Sequence, residues 1–295
     1  MDTFATWRLL PDDRLITAAG TGRITWRTGP LHAVLNAAAF TRQMTDSSPR
    51  IDLAALSECA SLAVHMLDNA ALLARVAVPG LKIGLMGVAD ALALLGVNYD
   101  SDAGRAQAST LGRALAEGCL RGSVELAATR GEIAGDLHTI AARAVSRDMP
   151  PEIVKALMRH GARHDRLTAI TAQRRLALLA NDAADALDPL RGENHANYIV
   201  SSNGPRMIRS SGYALNVLRV RNVRQTTMPD TLAHLPWKAQ ISMRAALQPW
   251  IDEPIAYPML TAHVLDDDQL DEARREAVAQ GFEAPCFRDP AAVLT

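Results

Sequence analysis

Residues Leu81–Ser101 read LKIGLMGVADALALLGVNYDS. A Gly-Leu-Met-Gly turn opens a short apolar helix over Val88–Leu95. Gly96 follows as its C-cap, because glycine enters the left-handed backbone region without a Cβ penalty. Asp100 or Ser101 then caps a longer helix. Alone, this is ordinary turn–helix–turn chemistry.

On the N-terminal side, residues 1–30 read as an irregular segment punctuated by Pro11, Gly20, Gly22, Gly29 and Pro30. Leu31–Met44 is a short apolar helix or strand. Ser47-Ser48-Pro49 is a loop, and Asp52 caps the next helix. There Leu53, Leu56, Ala60, Ala63, Val64, Leu67 and Ala71 recur at helical spacing, until Pro79 and Gly80 end it. On the C-terminal side, Ser101–Thr129 is helical, with Leu111, Leu115, Cys119 and Leu126 inward. Further helices are expected over His138–Ser146, Pro151–His160, Leu176–Leu187, Ile241–Ile251 (broken by Pro249) and Asp266–Gln280. Strands are expected over Leu167–Thr171, Tyr198–Ser202 and Ala214–Val220. There is no internal repeat and no linker-like stretch, so 31–295 reads as a single helix-rich α/β domain.

The chain has 295 residues, 48% apolar and 21% charged, enough to bury a sizeable core. A net charge of −1 gives no global attraction to nucleic acid or acidic membranes. Cys59, Cys119 and Cys286 are odd in number and far apart, with no CxxC, which argues against a disulfide framework or zinc site and for reduced cytoplasmic thiols. MDTFATWRLLPDDR has no signal-peptide pattern. The apolar run around Ala70–Leu81 is too short for a membrane span and contains Arg75.

As a string, Leu81–Ser101 resembles "GLGxMGLADxLxxLGxxYDS" of the ribonucleotide reductase large chain. Other segments follow in family order. Ile51–Asn69 resembles a helix ending "RFLDN". RHDRLTAITAQRRLALL, Arg163–Leu179, resembles "RNSxLTAIAPTGTISLL". Asp185–Pro189 stands where the family has "GIEP". MRAALQPWIDEPI, Met243–Ile255, resembles "MQAALQPYIDxAI", and GFEAPCFRDP, Gly281–Pro290, resembles "GLKGCTTYRPN". The phrase around Met243–Ile255 is nearest the adenosylcobalamin-dependent branch. The resemblance implies the second half of a ten-stranded α/β barrel, with adenosylcobalamin as the cofactor and a nucleotide as the ligand.

The residues that carry the chemistry differ. The family's phosphate cradle, Pro-Thr-Gly-Thr, corresponds to Ala172, Gln173, Arg174 and Arg175. Arginine in place of glycine puts a side chain where backbone must approach an anion. The two arginines are either solvated helix-start residues or side-chain ligands for phosphate or carboxylate. The family's "NPCxE" falls on Thr17–Thr21, which puts Ala19 at the radical cysteine, Thr17 at the asparagine and Thr21 at the glutamate. The following reducing cysteine falls near Pro30, and "ISKT" becomes Ile255-Ala256-Tyr257-Pro258. A thiyl radical needs sulfur, and no cysteine precedes Cys59. Cys59 and Cys119 lie on apolar helix faces, while Cys286 lies in a loop near Pro285.

Other groupings have plainer readings. His160 and His164 have metal-ligand spacing, but Gly161 separates them and no third ligand accompanies them. Arg206, Arg209, Arg219, Arg221 and Arg224 surround Tyr213. They are a phosphate-meeting patch or, more simply, the solvated face of a strand pair. Asp266-Asp267-Asp268 suggests helix capping before a divalent metal.

No catalytic residue is therefore assigned. The expected function is a ribonucleotide reductase-like protein that works by binding or assembly. The alternatives are one subunit of a split cobalamin-dependent reductase, or a nucleotide- or anion-binding regulator using Arg174 and Arg175. A half barrel would leave a sheet edge open, which favours self-association or a partner chain.

Overall fold

A computed structural model describes residues 8–11, 31–42, 48–75, 78, 80–201, 204–221, 229–262, 265–282 and 287–288. The centre is a four-stranded sheet in the order β1-β2-β5-β6, formed by β1 (Leu9–Pro11), β2 (His32–Asn36), β5 (Gly80–Met86) and β6 (Arg166–Thr168). Strand β1 is antiparallel to β2, whereas β2, β5 and β6 are parallel. Parallel neighbours require crossovers, and helices supply them. Two short pairs form outside this sheet: β3 (Thr41–Arg42) with β4 (Arg50–Ile51), and further along the chain β9 (Met259–Leu260) with β10 (Phe287–Arg288). The chain is helix-rich α/β, part of a barrel.

Alternation along the strands divides the sheet into two buried faces. Ala33, Leu35, Ile83 and Leu85 face α1 (Leu53–Ala74) and α3 (Asp102–Arg130), forming the main core. Val34 and Met86 face the other way, with Leu10, and are covered by Leu176, Ala177, Ala180 and Ala183. A smaller core joins α3 to α4 (Leu137–Ser146) and α5 (Pro151–His160).

The opening string is more than a turn. Its Gly84-Leu85-Met86 ends β5, and Gly87 alone makes the turn into α2 (Val88–Leu95). Gly87 has φ 65, and a Cβ there would overlap the Asn36 side chain, so the position is closed to other residues on two grounds. Gly96 ends α2 at φ 70, as the sequence predicts. Ser101 caps α3 by accepting the Gly104 N–H at 2.9 Å, and Asp52 caps α1 by accepting that of Ala55 at 3.1 Å.

Elsewhere the structure corrects the sequence reading. Leu31–Met44 resolves into β2, a 3-10 turn over Ala37–Phe40, and β3, with residues 43–44 outside the described set. The helix expected over Leu176–Leu187 is only α6 (Arg174–Leu179). Asn181 and Asp182 turn left-handed, at φ 61 and 59, which breaks the helical path. Ala214–Val220 is not a strand but most of α7 (Tyr213–Val220). Eight residues fit both periods, and the anchored N-terminus decides for helix, with Ala214, Val217 and Leu218 packed inward. The true partner of β7 (His195–Ser201) is β8 (Gly204–Ser210), an antiparallel hairpin. Helix α8 (Trp237–Leu247) passes into a 3-10 turn at Gln248–Trp250 around Pro249. Asp266 caps α9 (Asp267–Ala279) in a capping box with Gln269.

The edge of β6 is not open as a half barrel suggests. Asp252 Oδ2 accepts the N–H groups of Leu167 at 2.7 Å and Thr168 at 3.2 Å, and the Glu253 N–H donates to Thr168 O at 3.2 Å. A carboxylate and a short segment of backbone thus satisfy polar groups that an edge strand would otherwise present. Arg147 holds Asp252 from the other side at 2.8 Å.

Candidate functional site

The polar residues of interest gather around the segment between α6 and β7. Asp90 in α2 anchors this segment: Oδ2 accepts from the Ala184 amide at 2.6 Å and Oδ1 from that of Ala214 at 2.8 Å. Two buried tyrosines hold its far side. The Tyr99 hydroxyl donates to Leu187 O at 2.6 Å, and the Leu187 N–H donates to the Tyr257 hydroxyl at 2.9 Å. Tyr257 belongs to the Ile255–Pro258 stretch that departs from "ISKT", and its ring stacks under the Arg244 guanidinium at 4.0 Å.

On this support Asp182 is the hub. It receives Arg174 Nη2 at 2.6 Å, His195 Nε2 at 2.8 Å and Asn197 Nδ2 at 3.1 Å. His195 and Asn197 are two apart on β7 and so share a face. Burial pushes the Asp182 carboxyl up, but the His195 hydrogen bond and the Arg174 charge outweigh it and hold it down at about 2. The other His195 nitrogen, Nδ1, lies 2.8 Å from Gly192 O. Arg191 donates to Asn197 Oδ1 and to Ala196 O, each at 2.7 Å. These residues line a cleft open to solvent.

The sequence-predicted Ala172, Gln173, Arg174 and Arg175 lie at the start of α6, between the loop that follows β6 and the cleft. Ala172 is half-buried against the main core. The Gln173 N–H donates to Asp185 Oδ1 at 2.6 Å, and the Gln173 side chain meets His32 and Thr171, each at 3.1 Å. Arg174 turns into the cleft, and Arg175 is exposed. The two arginines are thus parted rather than joined on one ligand.

Sequence reasoning missed Asp182, Arg191, His195 and Asn197. The one local signal was His195 and Asn197 alternating on a strand. The other groupings do not converge here. His160 is exposed at the end of α5, whereas His164 is buried 3.4 Å from Asp68. Asp68 also takes Arg163 at 3.0 Å and Arg130 at 2.5 Å, tying α1 to the end of α3. Arg206 and Arg209 are exposed on β8, and Arg219 on α7 lies 3.5 Å from Glu193. Cys59 and Cys119 are buried, and burial pushes both thiols up. Thr17–Thr21, Pro30, Arg224 and Cys286 lie outside the described residues. No helix among the described residues is long and apolar enough to cross a membrane.

A mixed central sheet with helical crossovers and a polar cleft beside the segment after α6 make this an α/β protein. A sequence profile for the ribonucleotide reductase barrel domain matches residues 33–284, and the chain belongs to that family. No curated protein matches it.

Proposed function

We propose that this ribonucleotide reductase barrel-domain chain works by binding or assembly rather than by radical chemistry, in the cytoplasm and as an oligomer or with a partner chain. The contact between Asp185 and Gln173 carries this reading. In the resembled family, amides at the corresponding point meet a substrate phosphate. Here an internal carboxylate sits on the Gln173 amide at 2.6 Å, and its charge opposes an arriving phosphate. Helix α6 spans only Arg174–Leu179, so its dipole offers little compensation.

Adenosylcobalamin enters through the resemblance to one branch of the family. Radical transfer from it would need a receiving thiol. The described thiols, Cys59 and Cys119, are buried at 9% and 0% exposure inside the helical core, and they do not fit that role.

The test is to incubate the purified chain with ribonucleoside di- and triphosphates, adenosylcobalamin and a dithiol, and to measure deoxyribonucleotide. Calorimetric titration of the same nucleotides and cofactor runs in parallel. The expected result is no turnover and no saturable nucleotide binding. Turnover by the chain alone, or only with a second chain as in a split reductase, would overturn the proposal, and saturable nucleotide binding without turnover would make the chain a nucleotide-binding regulator instead.

A further inference from the structure

We propose that the outer edge of β8 is a docking edge for an acidic, extended peptide segment of a partner chain, which joins the β7–β8 hairpin as a third strand. The inference deepens the binding-or-assembly reading above and rests on it.

The two strands of the hairpin have different surroundings. Strand β7 faces the protein: Asn197 is buried, and His195 and Asn197 both bond to Asp182. Strand β8 pairs with β7 through seven consecutive residue pairs, from His195 with Ser210 to Ser201 with Gly204. Among the described residues no strand lies beyond β8, and the two-stranded sheet ends there. Alternate residues of β8 therefore turn N–H and C=O groups away from β7 with no strand to meet them. Successive side chains point to opposite faces, and the central two, Met207 and Ile208, are 52% and 49% exposed. Large apolar side chains thus stand half in water on both faces of one edge. A third strand would cover them and pair the backbone at the same time.

The charges select the partner. Arg206 and Arg209 flank the apolar two and are exposed. Arg209 donates to Asn194 O at 3.0 Å, a neutral acceptor, and no carboxylate among the described residues pairs with either arginine. Arg219 adds a further cation at this end of β8, 3.2 Å from Ser211 Oγ and 3.5 Å from Glu193. A second copy of this chain is a poor occupant. The antiparallel register that sets Met207 against Ile208 of that copy also sets Arg206 against Arg209, like charges directly opposite. A strand carrying two apolar residues between two acidic ones meets the same four positions with opposite charges. Phosphates of a nucleic acid or a membrane would meet the arginines but leave the backbone edge unpaired.

The test titrates the whole chain with a capped, dye-labelled peptide as long as β8, in which threonines surround a central glutamate-valine-valine-glutamate. Fluorescence anisotropy, up to millimolar peptide, should show saturable binding, and amide hydrogen exchange should slow along β8. Arg206→Glu/Arg209→Glu should weaken binding by about tenfold or more. The same variant should instead bind the lysine-valine-valine-lysine analogue, which also shows that it is folded. N-methylating both valines keeps their side chains, removes their N–H groups and should abolish binding. The proposal falls if the glutamate peptide does not bind, if the lysine analogue binds wild type equally well, or if N-methylation changes nothing. It falls equally if exchange slows only away from β8, or if sedimentation shows wild type pairing with itself through β8. Single-stranded DNA and phosphatidylglycerol vesicles run alongside. Binding to either that is lost in the double variant, without peptide binding, assigns the arginines to phosphate and overturns the proposal. Failure of these titrations leaves the binding-or-assembly reading standing, because that reading falls by deoxyribonucleotide formation.

Discussion

The carboxylate of Asp90 and the amide of Ala184 meet at 2.6 Å across 94 residues of chain. The same carboxylate takes the Ala214 amide at 2.8 Å, so one side chain of α2 orients both the hub segment and the start of α7. Asp90→Ala would leave two buried donors unpaired. We expect a loss of about 2–6 kcal/mol, from about 1–3 kcal/mol per stranded group. Urea denaturation checks this, as a lower midpoint at an unchanged slope.

Buried Asp90, His164 and Asp182 each contribute to the acid stability. Burial raises the Asp90 carboxyl to about 6, against the two amides that hold it down. The folded state then binds this proton first, and Asp90 adds stability as pH falls from about 6 to about 4. Burial lowers His164 to about 4, despite Asp68, so the unfolded state protonates first and stability is lost as pH falls from about 6.5 to about 4. These two effects oppose each other. Asp182, held at about 2, adds a loss of about 2–3 kcal/mol between about pH 4 and pH 2. Denaturant melts across pH should show a shallow profile above pH 4 and a steep fall below it. In Asp90→Asn the His164 loss, about 3 kcal/mol, should stand uncovered between about pH 6.5 and pH 4.

Helices α1 and α3 pack closely because Gly118 has no side chain. A Cβ there would overlap the Ser57 carbonyl, which is helix backbone and cannot rotate aside. Gly118→Ala should therefore destabilise by about 1–3 kcal/mol, even though alanine favours helix by about 1 kcal/mol over glycine. Thermal unfolding reads the difference directly.

Cys59 and Cys119 should resist alkylation in the native protein. Cys119 is fully buried, and burial, with the Asp252 charge, pushes its thiol well above the ordinary value. Iodoacetamide labelling followed by peptide mapping should find both unmodified until denaturant is added. Rapid native labelling at either would show that the core opens there.

Local chemistry was legible in the chain itself. The caps Asp52, Ser101 and Asp266 each bond an amide three residues on, and Pro151 and Gly161 bound α5 where the sequence places them. Signals of this kind act within one turn of helix, so they survive without tertiary context. The string from Gly84 to Ser101 and the later segments also carried the family. Of the hub of Asp182, Arg174, His195 and Asn197, only Arg174 stood out in the sequence. Its members are 8 to 23 residues apart in pairs such as Arg174 with Asp182 and with Asn197. They meet only because Asn181 and Asp182 turn left-handed while Asp90, Tyr99 and Tyr257 hold the following segment. Asp90 likewise fixes the start of the Ala214–Val220 helix, and Arg147 holds Asp252 at the β6 edge. Periodicity and capping report on neighbours along the chain. Which buried donor finds which acceptor is settled only when packing brings distant segments together and leaves each polar group in need of a partner.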